Sequence, residues 1–503
     1  MKNNRLIKRQ DLIHIAILVS IALGIGVYLI ATIVLIAKDG TLYIECARQI
    51  ADNPIEAVRN MSPCPGYPFL IYLMHKVVEL FYGATSLQGW IISAQTVSLL
   101  SKIIASAALY LVGSYFVGPR LSFYGVLILS ILPDSAEYGS DALTEWSFLM
   151  FLTTGFLLLL LGVQYHKNWI FGLAGIAAGL GYLTRSECCQ LVIYGSGWLL
   201  FNLIRPQGKM KRIKATGALI LLLAGFAVIA IPYMRLKGYV FPDQSIWKLP
   251  AFLSISNDNI NSVFNMNMCL AGLSTNKTMG NKTLIINICE TLMYYFIPGL
   301  LIGCYYYFRK QSKTSEQTFF SAAFIVLNIV MLLWQLYCRL ALSRRYSLAL
   351  VAFTIFYIPV GLYIIAGWLS RRTLKSDSAI EENIRRWFFI LLIVGMAICL
   401  PKLFKIIGTQ RYDYREAAMW LNKNTASTDI IAVPDVRITF YAERKGLECM
   451  ENSEQIPGQA NYIVRIVKSE DEKMIFDKET KEEYSTRTNN KKGGKLVIYR
   501  VTR

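Results

Sequence analysis

An all-α polytopic membrane bundle of about eleven spans, followed by a small water-soluble α/β domain, is the architecture this sequence predicts. Apolar residues make up 54% of the 503-residue chain and aromatics 13%, more than a soluble domain carries. The apolar residues are gathered into runs of membrane-crossing length. These runs stop near residue 407, and beyond it charges become dense. The formal net charge of +19 would suit nucleic acid, but Lys and Arg cluster at the ends of apolar runs, where positive charge fixes topology, so that partner is excluded.

The first run, Leu12 to Ala37, follows the basic MKNNRLIKRQ, is too long for a signal peptide and is followed by no small-residue cleavage site, so it stays as a helix. Further runs span Gly89 to Val117, Leu121 to Pro133, Ala142 to Gln164, Trp169 to Thr184, Cys188 to Ile204, Ala215 to Tyr233, Leu284 to Phe308, Phe319 to Tyr337, Tyr346 to Leu369 and Trp387 to Ile407. The third and fifth of the whole series are short for a span. With a cytoplasmic N-terminus, the basic loops Ile204 to Lys214, Arg309 to Lys313 and Ser370 to Arg386 all fall on the cytoplasmic side. The outer side then receives Lys38 to Gln88, Asp134 to Asp141, the turn at Arg185, Met234 to Thr283, Arg339 to Arg345 and everything after Gly408. The expectation is a multi-pass plasma-membrane protein with a transmembrane domain over 1–407 and an extracytoplasmic domain over 408–503. In the latter, Tyr414 to Asn424 has helical spacing; Asp429 to Val433, Asn461 to Val467 and Lys495 to Val501 read as strands; EYSTRTNNKKGGK reads as a basic turn.

Asp39 follows the first apolar run directly and stands at the bilayer surface, where an acid either ends a helix or serves a function. Pro63, Pro65, Gly66 and Pro68 turn the chain back toward the membrane behind it. Cys46 and Cys64 share this loop and allow a disulfide. The acidic stretch Ile131 to Phe148 carries Asp134, Glu137, Asp141 and Glu145 on the same side; Glu145 or Glu137 is the candidate second acid, and Glu145 falls just inside a span, where an acid faces a cavity or a partner. Small residues in GIAAGLGYLTRSE permit close helix packing, and Arg185 emerges beyond them, either paired with Glu187 or facing an anionic head group. RLALSRRY places Arg339, Arg344 and Arg345 where cations should be depleted; Arg binds phosphate through paired, fixed donors, so a lipid phosphate is the natural partner, with Arg344 and Arg345 foremost and Arg185 and Lys102 behind. Tyr346 stands at the interface beside them. Three scattered histidines and no CxxC pair give no metal site.

Taken in order, KDGTLYIECARQIA, PGYPF, the acidic loop ending in LTE, GYLTRSE, IPYMRLKG, SRRY and REAAMWLNKN resemble the polytopic glycosyltransferases of the GT-C fold. The likeness is greatest to the branch of protein mannosyltransferases and the lipid A aminoarabinose transferase. It implies that Asp39 is the catalytic carboxylate, although the Asp-Glu pair frequent in that family is Asp39-Gly40 here, a departure that leaves open whether Glu45, Glu137 or Glu145 supplies a second acid. It further implies a polyprenyl-phosphate sugar donor, inverting transfer to a glycan, lipid or protein acceptor, and neither cofactor nor essential metal. The rival class is a transporter or flippase of lipid-linked saccharide, whose paired repeats the sequence does not show.

Overall fold

The computed structural model describes residues 8–83, 86–204, 211–238, 284–309, 314–339, 343–373, 380–449, 457–467, 479–488 and 494–502. The expected outer loop lies outside them from residue 239 to 283, as do residues 340–342 of the arginine-rich stretch.

Helix α1 (Arg9–Thr32) is the first apolar span. The stretch after it, expected to be a loop, is instead three helices: α2 (Lys38–Asp52), α3 (Pro54–Asn60) and α4 (Gly66–Tyr82). Its prolines start helices rather than break them, because a residue in the first turn has an N–H with no intrahelical partner to lose. Pro54 opens α3 beside the Asn53 cap, and Pro65 and Pro68 flank the first turn of α4. In α2, Gly40, Ile44, Ala47 and Ile50 are buried at helical spacing and form its inner face.

Helices α5 (Leu87–Val117), α6 (Pro119–Ile131), α7 (Pro133–Tyr138), α8 (Glu145–Tyr165), α9 (Asn168–Thr184), α10 (Gln190–Ile204) and α11 (Arg212–Lys237) follow. Next come α12 (Ile297–Arg309), α13 (Ser315–Arg339), α14 (Leu348–Thr354), α15 (Tyr357–Thr373) and α16 (Ile380–Leu403). Among the described residues seven helices are long and apolar enough to cross a membrane, or eight if the pair Arg344–Thr354 and Tyr357–Arg372, bent by 62°, counts as one span. This is a coarser count than the expected eleven. The runs in α6 and α9 form helices of 13 and 17 residues, shorter than a full span. Leu284 to Phe308 is not one helix: it breaks at residues 292–296, where Met293 and Tyr294 adopt positive φ. Helices α9 and α11 lie side by side as the small-residue motif predicts: a Cβ at Gly175 would run into the Leu222 backbone, and one at Gly179 would lie 2.7 Å from Ile229 Cβ.

Beyond the last span, α17 (Tyr412–Asn424) and α18 (Val436–Ala442) accompany a five-stranded sheet of order β2-β1-β3-β5-β4. Strands β1 (Ile430–Val433), β3 (Tyr462–Val467) and β5 (Lys495–Val501) fall where the apolar runs predict. β1 is parallel to β2 (Lys445–Glu448) and to β3; β5 is antiparallel to β3 and to β4 (Thr480–Arg487). The basic turn is therefore partly wrong, because EYSTR belongs to β4. A solvent-facing edge strand carries polar residues and gives no apolar signal.

Candidate active site

Four helix ends meet beside one cleft. Asp39 sits in the first turn of α2, Glu145 opens α8, Arg185 follows the last residue of α9, and Arg345 lies in the 3-10 turn Arg344–Ser347 that leads into α14. Arg345 Nη2 donates to Asp39 Oδ2 at 2.7 Å and its Nε lies 3.8 Å from Glu145 Oε1. Arg185 Nη2 donates to Glu187 Oε1 at 2.8 Å and its Nη1 lies 3.5 Å from Glu145 Oε1. Glu145 thus stands between two guanidiniums, its side chain 5% exposed, while the Asp39 side chain is 44% exposed at the mouth. Of the two open readings for Arg185, pairing with Glu187 is the one observed.

These groups line a cleft of ≈ 280 Å³ together with Tyr43, Cys64, Thr144 and Tyr346. The Tyr346 ring lies under the Arg185 guanidinium at 5.1 Å and the Phe148 ring at 5.5 Å, which holds the planar cation flat without using its donors. Burial, then the nearby Glu145 and Asp39 charges, raises the Tyr43 hydroxyl above its ordinary range, so it stays protonated and able to donate. Burial also pushes the Cys64 thiol up to about 11, and Cys46 and Cys64 are free thiols rather than a disulfide. A narrower space of ≈ 30 Å³ shares Glu145, Arg185, Glu187 and Arg345 with the cleft but not Asp39, and is lined further by Leu149, Leu332 and Leu348, with Gln190, Asn328 and Gln335 on its wall. Glu145 Oε2 and Gln335 Oε1 are buried acceptors without a hydrogen-bond partner among the described residues, so the wall of this space has two acceptor positions to offer.

The remaining candidates lie elsewhere. Arg344 turns away from its neighbour to Asp134 Oδ2 at 3.5 Å and Glu290 at 3.4 Å, and Lys402 reaches Asp134 Oδ1 at 3.2 Å. Glu137 faces that second cluster, where burial and then Asp134 raise its carboxyl above the usual range. Successive residues of a 3-10 turn project about 120° apart, and adjacency in SRRY therefore does not bring both arginines to one ligand. Lys102 is fully buried on α5, its Nζ 5.7 Å from the Trp146 ring and without a hydrogen-bond partner among the described residues, and it is not among the cleft residues. Sequence reasoning missed Gln190, Asn328 and Gln335, polar residues on otherwise apolar helices, whose signal was their intramembrane position itself. Among the described residues no cluster of three or more His, Cys, Asp or Glu is arranged to hold a metal ion.

A family model described as dolichyl-phosphate-mannose-protein mannosyltransferase matches residues 62–231, a stretch that contains Glu145 and Arg185 but neither Asp39 nor Arg345. No curated protein matches at the sequence level. ArnT from Cupriavidus metallidurans, solved bound to undecaprenyl phosphate, aligns with a TM-score of 0.57 at 13% identity, over 96% of this chain and 97% of its own. The Archaeoglobus fulgidus oligosaccharyltransferase AglB, solved with an inhibitory peptide and a dolichol-phosphate, aligns with a TM-score of 0.59 at 11% identity, over 91% of this chain and 69% of its own. Its apo form gives 0.58 at 13% identity. The fold is that of the GT-C membrane glycosyltransferases, as the sequence resemblance anticipates.

Proposed function

We propose that this chain is a membrane glycosyltransferase that moves a monosaccharide from a polyprenyl-phosphate donor to an acceptor on the extracytoplasmic side, with inversion and with Asp39 as general base. The observation that carries this reading is the Asp39–Arg345 pair at 2.7 Å on the wall of the cleft. It sets a proton acceptor beside a guanidinium suited to phosphate. Inverting attack requires the acceptor and the leaving phosphate on opposite faces of the anomeric carbon, so this pair opens as the donor enters. The guanidinium passes to the phosphate oxygens and the carboxylate is released to the acceptor.

In the reaction the bond between the anomeric carbon and the phosphate oxygen breaks as the bond to the acceptor oxygen or nitrogen forms, and the acceptor's proton goes to Asp39. The departing polyprenyl phosphate gains one negative charge, which Arg345 and Arg185 stabilise from fixed positions. Glu145 keeps both guanidiniums at the cleft when the donor is absent and is the second-acid candidate that lies there. That ArnT and AglB were solved with polyprenyl phosphates supports a donor of this class. The outward placement follows from the charge bias of the loops and carries the C-terminal α/β unit to the same side.

The test is incubation of the purified protein with a panel of radiolabelled polyprenyl-phosphate sugars, alongside Asp39→Asn. Transfer of label by the wild type and its loss in the variant is the expected result. Movement of labelled donor across a vesicle membrane without cleavage of the sugar–phosphate bond would instead identify a flippase.

A further inference from the structure

The segment that delivers the chain from α1 to Asp39 has no regular structure of its own over residues 33–37, yet Leu35 and Ile36 are buried. Backbone groups in such a segment need partners from elsewhere. Arg415 Nη1 donates to the Val34 carbonyl at 3.0 Å, and the Val34 N–H donates to the Ile407 carbonyl at 3.1 Å. The Ile36 N–H donates to the Tyr441 hydroxyl at 3.1 Å, and Arg437 Nη1 reaches the Ile36 carbonyl at 3.5 Å. The Ala37 N–H donates to both oxygens of Asp141 at 3.0 Å. Lys38 pairs with Glu448 on β2.

Three of these groups come from α17 and α18, and a fourth from the strand beside them, so the C-terminal unit supplies most of what holds the segment. Arg437 is itself fixed by two contacts to Asp435, 2.9 and 2.6 Å long; the Arg437 side chain is buried and that of Asp435 partly so. On the opposite side α2 fits against the loop that carries Asp141: a Cβ at Gly40 would lie 2.7 Å from the Ala142 Cβ. Ile36, Ala142 and Phe440 share one apolar cluster across this junction. The carboxylate of Asp39 is two residues beyond the last gripped amide, in a first turn with no freedom to slide.

We propose that the C-terminal α/β unit is a positioning element for the catalytic acid: Tyr441, Arg437 and Arg415 hold Val34–Ile36, with Asp141 holding Ala37, so that Asp39 meets Arg345 across the cleft. None of these residues lines the cleft. They act through the backbone, as positioning residues. The inference rests on the reading of Asp39 as general base, and its energetic logic is that an error of about 1 Å in a reacting group can cost on the order of a hundredfold in rate.

The test uses the full chain in detergent, with Tyr441→Phe, which removes one hydroxyl and keeps the ring, and Tyr441→Phe combined with Arg415→Gln. Hydrogen–deuterium exchange should rise in the peptide covering Val34–Ala37 while β1 and β3 keep their protection. The turnover number should fall roughly tenfold in the single variant and further in the double one, with donor KM within about twofold of wild type. Unchanged exchange in that peptide, or raised exchange with full turnover, would overturn the proposal. If β1 and β3 also lose protection in Tyr441→Phe, Arg415→Gln alone is judged by the same criteria. Failure of the general-base reading looks different: Asp39→Asn would turn over normally while the exchange and turnover effects of Tyr441→Phe remained.

Discussion

Two neighbouring arginines, Arg344 and Arg345, belong to two clusters of nearly the same composition that have different prospects as sites. Each joins cations to acids: Arg345 with Asp39 and Glu145, Arg344 with Asp134 and Glu290. The Arg345 cluster faces a cleft and has an aromatic face beneath Arg185 and a second, narrower space lined by Glu145, Arg185 and Arg345. The Arg344 cluster ties α7 to α16 through Lys402 and Asp134. Charge composition alone therefore does not mark out the candidate site. What sets the Arg345 cluster apart is the cleft it lines; unmet hydrogen-bonding capacity does not, since Asp134 Oδ2 in the other cluster is likewise a buried oxygen with no hydrogen-bond partner among the described residues.

The largest effect that would break this comparison comes from Asp39. Asp39→Asn keeps the side-chain size and can still accept a hydrogen bond from Arg345, so the fold and the cleft should persist. Turnover at saturating donor should fall by roughly a hundred- to ten-thousandfold. Near wild-type turnover would show that this carboxylate is not the proton acceptor and would remove the reason to favour its cluster.

Next in size is the contrast between the two arginines. Arg345→Lys keeps a charge but loses the planar fork, and a donor titration should show roughly tenfold weaker donor use, the equivalent of one charge-assisted hydrogen bond. Arg344→Lys should change donor use by less than about threefold, because Arg344 points to Asp134 and Glu290. Arg235, exposed in the last turn of α11, is a control for general surface charge. Equal losses at Arg344 and Arg345 would return both to a single phosphate site, as the sequence alone suggests.

A smaller effect reads stability rather than rate. Burial pushes the Asp141 carboxyl up to about 7, against the lowering by the Ala37 and Ala142 amides; Glu137 raises it further and Arg437 lowers it. Its folded-state affinity for a proton exceeds that of the unfolded chain, so the folded state binds more protons between the ordinary carboxylate range and about pH 7. Stability from this group is therefore greatest at the acid end of that window and declines as pH rises through it. The melting temperature of the wild type in detergent should fall between about pH 5 and about pH 8, and Asp141→Asn should flatten that slope. An identical slope in the variant would place the titration elsewhere.

Much of the fold was legible because membrane spans announce themselves through composition, and β1, β3, β5 and α17 through periodicity. The three helices after α1 were not read from the sequence: their prolines look like breakers unless their first-turn positions are known, and their half-exposed faces make short, mixed patterns. At the site, Asp39, Glu145, Arg185, Arg345 and Tyr346 were legible as charges and rings at the ends of apolar runs, and they do converge. Glu137 and Arg344 carried the same signal and go elsewhere, as does Lys102 from the middle of its run. Position along the chain gives depth in the membrane but not rotation about the helix or turn, and rotation decides which neighbour a side chain meets. The contacts of Tyr441 and Arg437 with Ile36 were beyond reach, since they join residues some four hundred positions apart through backbone atoms that leave no pattern in side chains.

Lys102 gives the smallest expected effect on activity and the sharpest test of rotation. It lies midway along α5, fully buried against Trp146, and a Cβ at Gly139 would run into its stem. A buried lysine head group with no hydrogen-bond partner among the described residues loses its hydration and recovers only part of it from the indole face. Lys102→Met preserves an unbranched chain of similar length while removing that cost, so the melting temperature in detergent should hold or rise. Donor titration should stay within about twofold of wild type, since the contact between Lys102 and Trp146 lies behind the cleft wall rather than in it. A selective loss of donor binding in Lys102→Met, with melting unchanged, would mean that α5 presents this lysine to the phosphate when the donor is bound. Arg345 and Arg185 would then share the leaving group with a third cation.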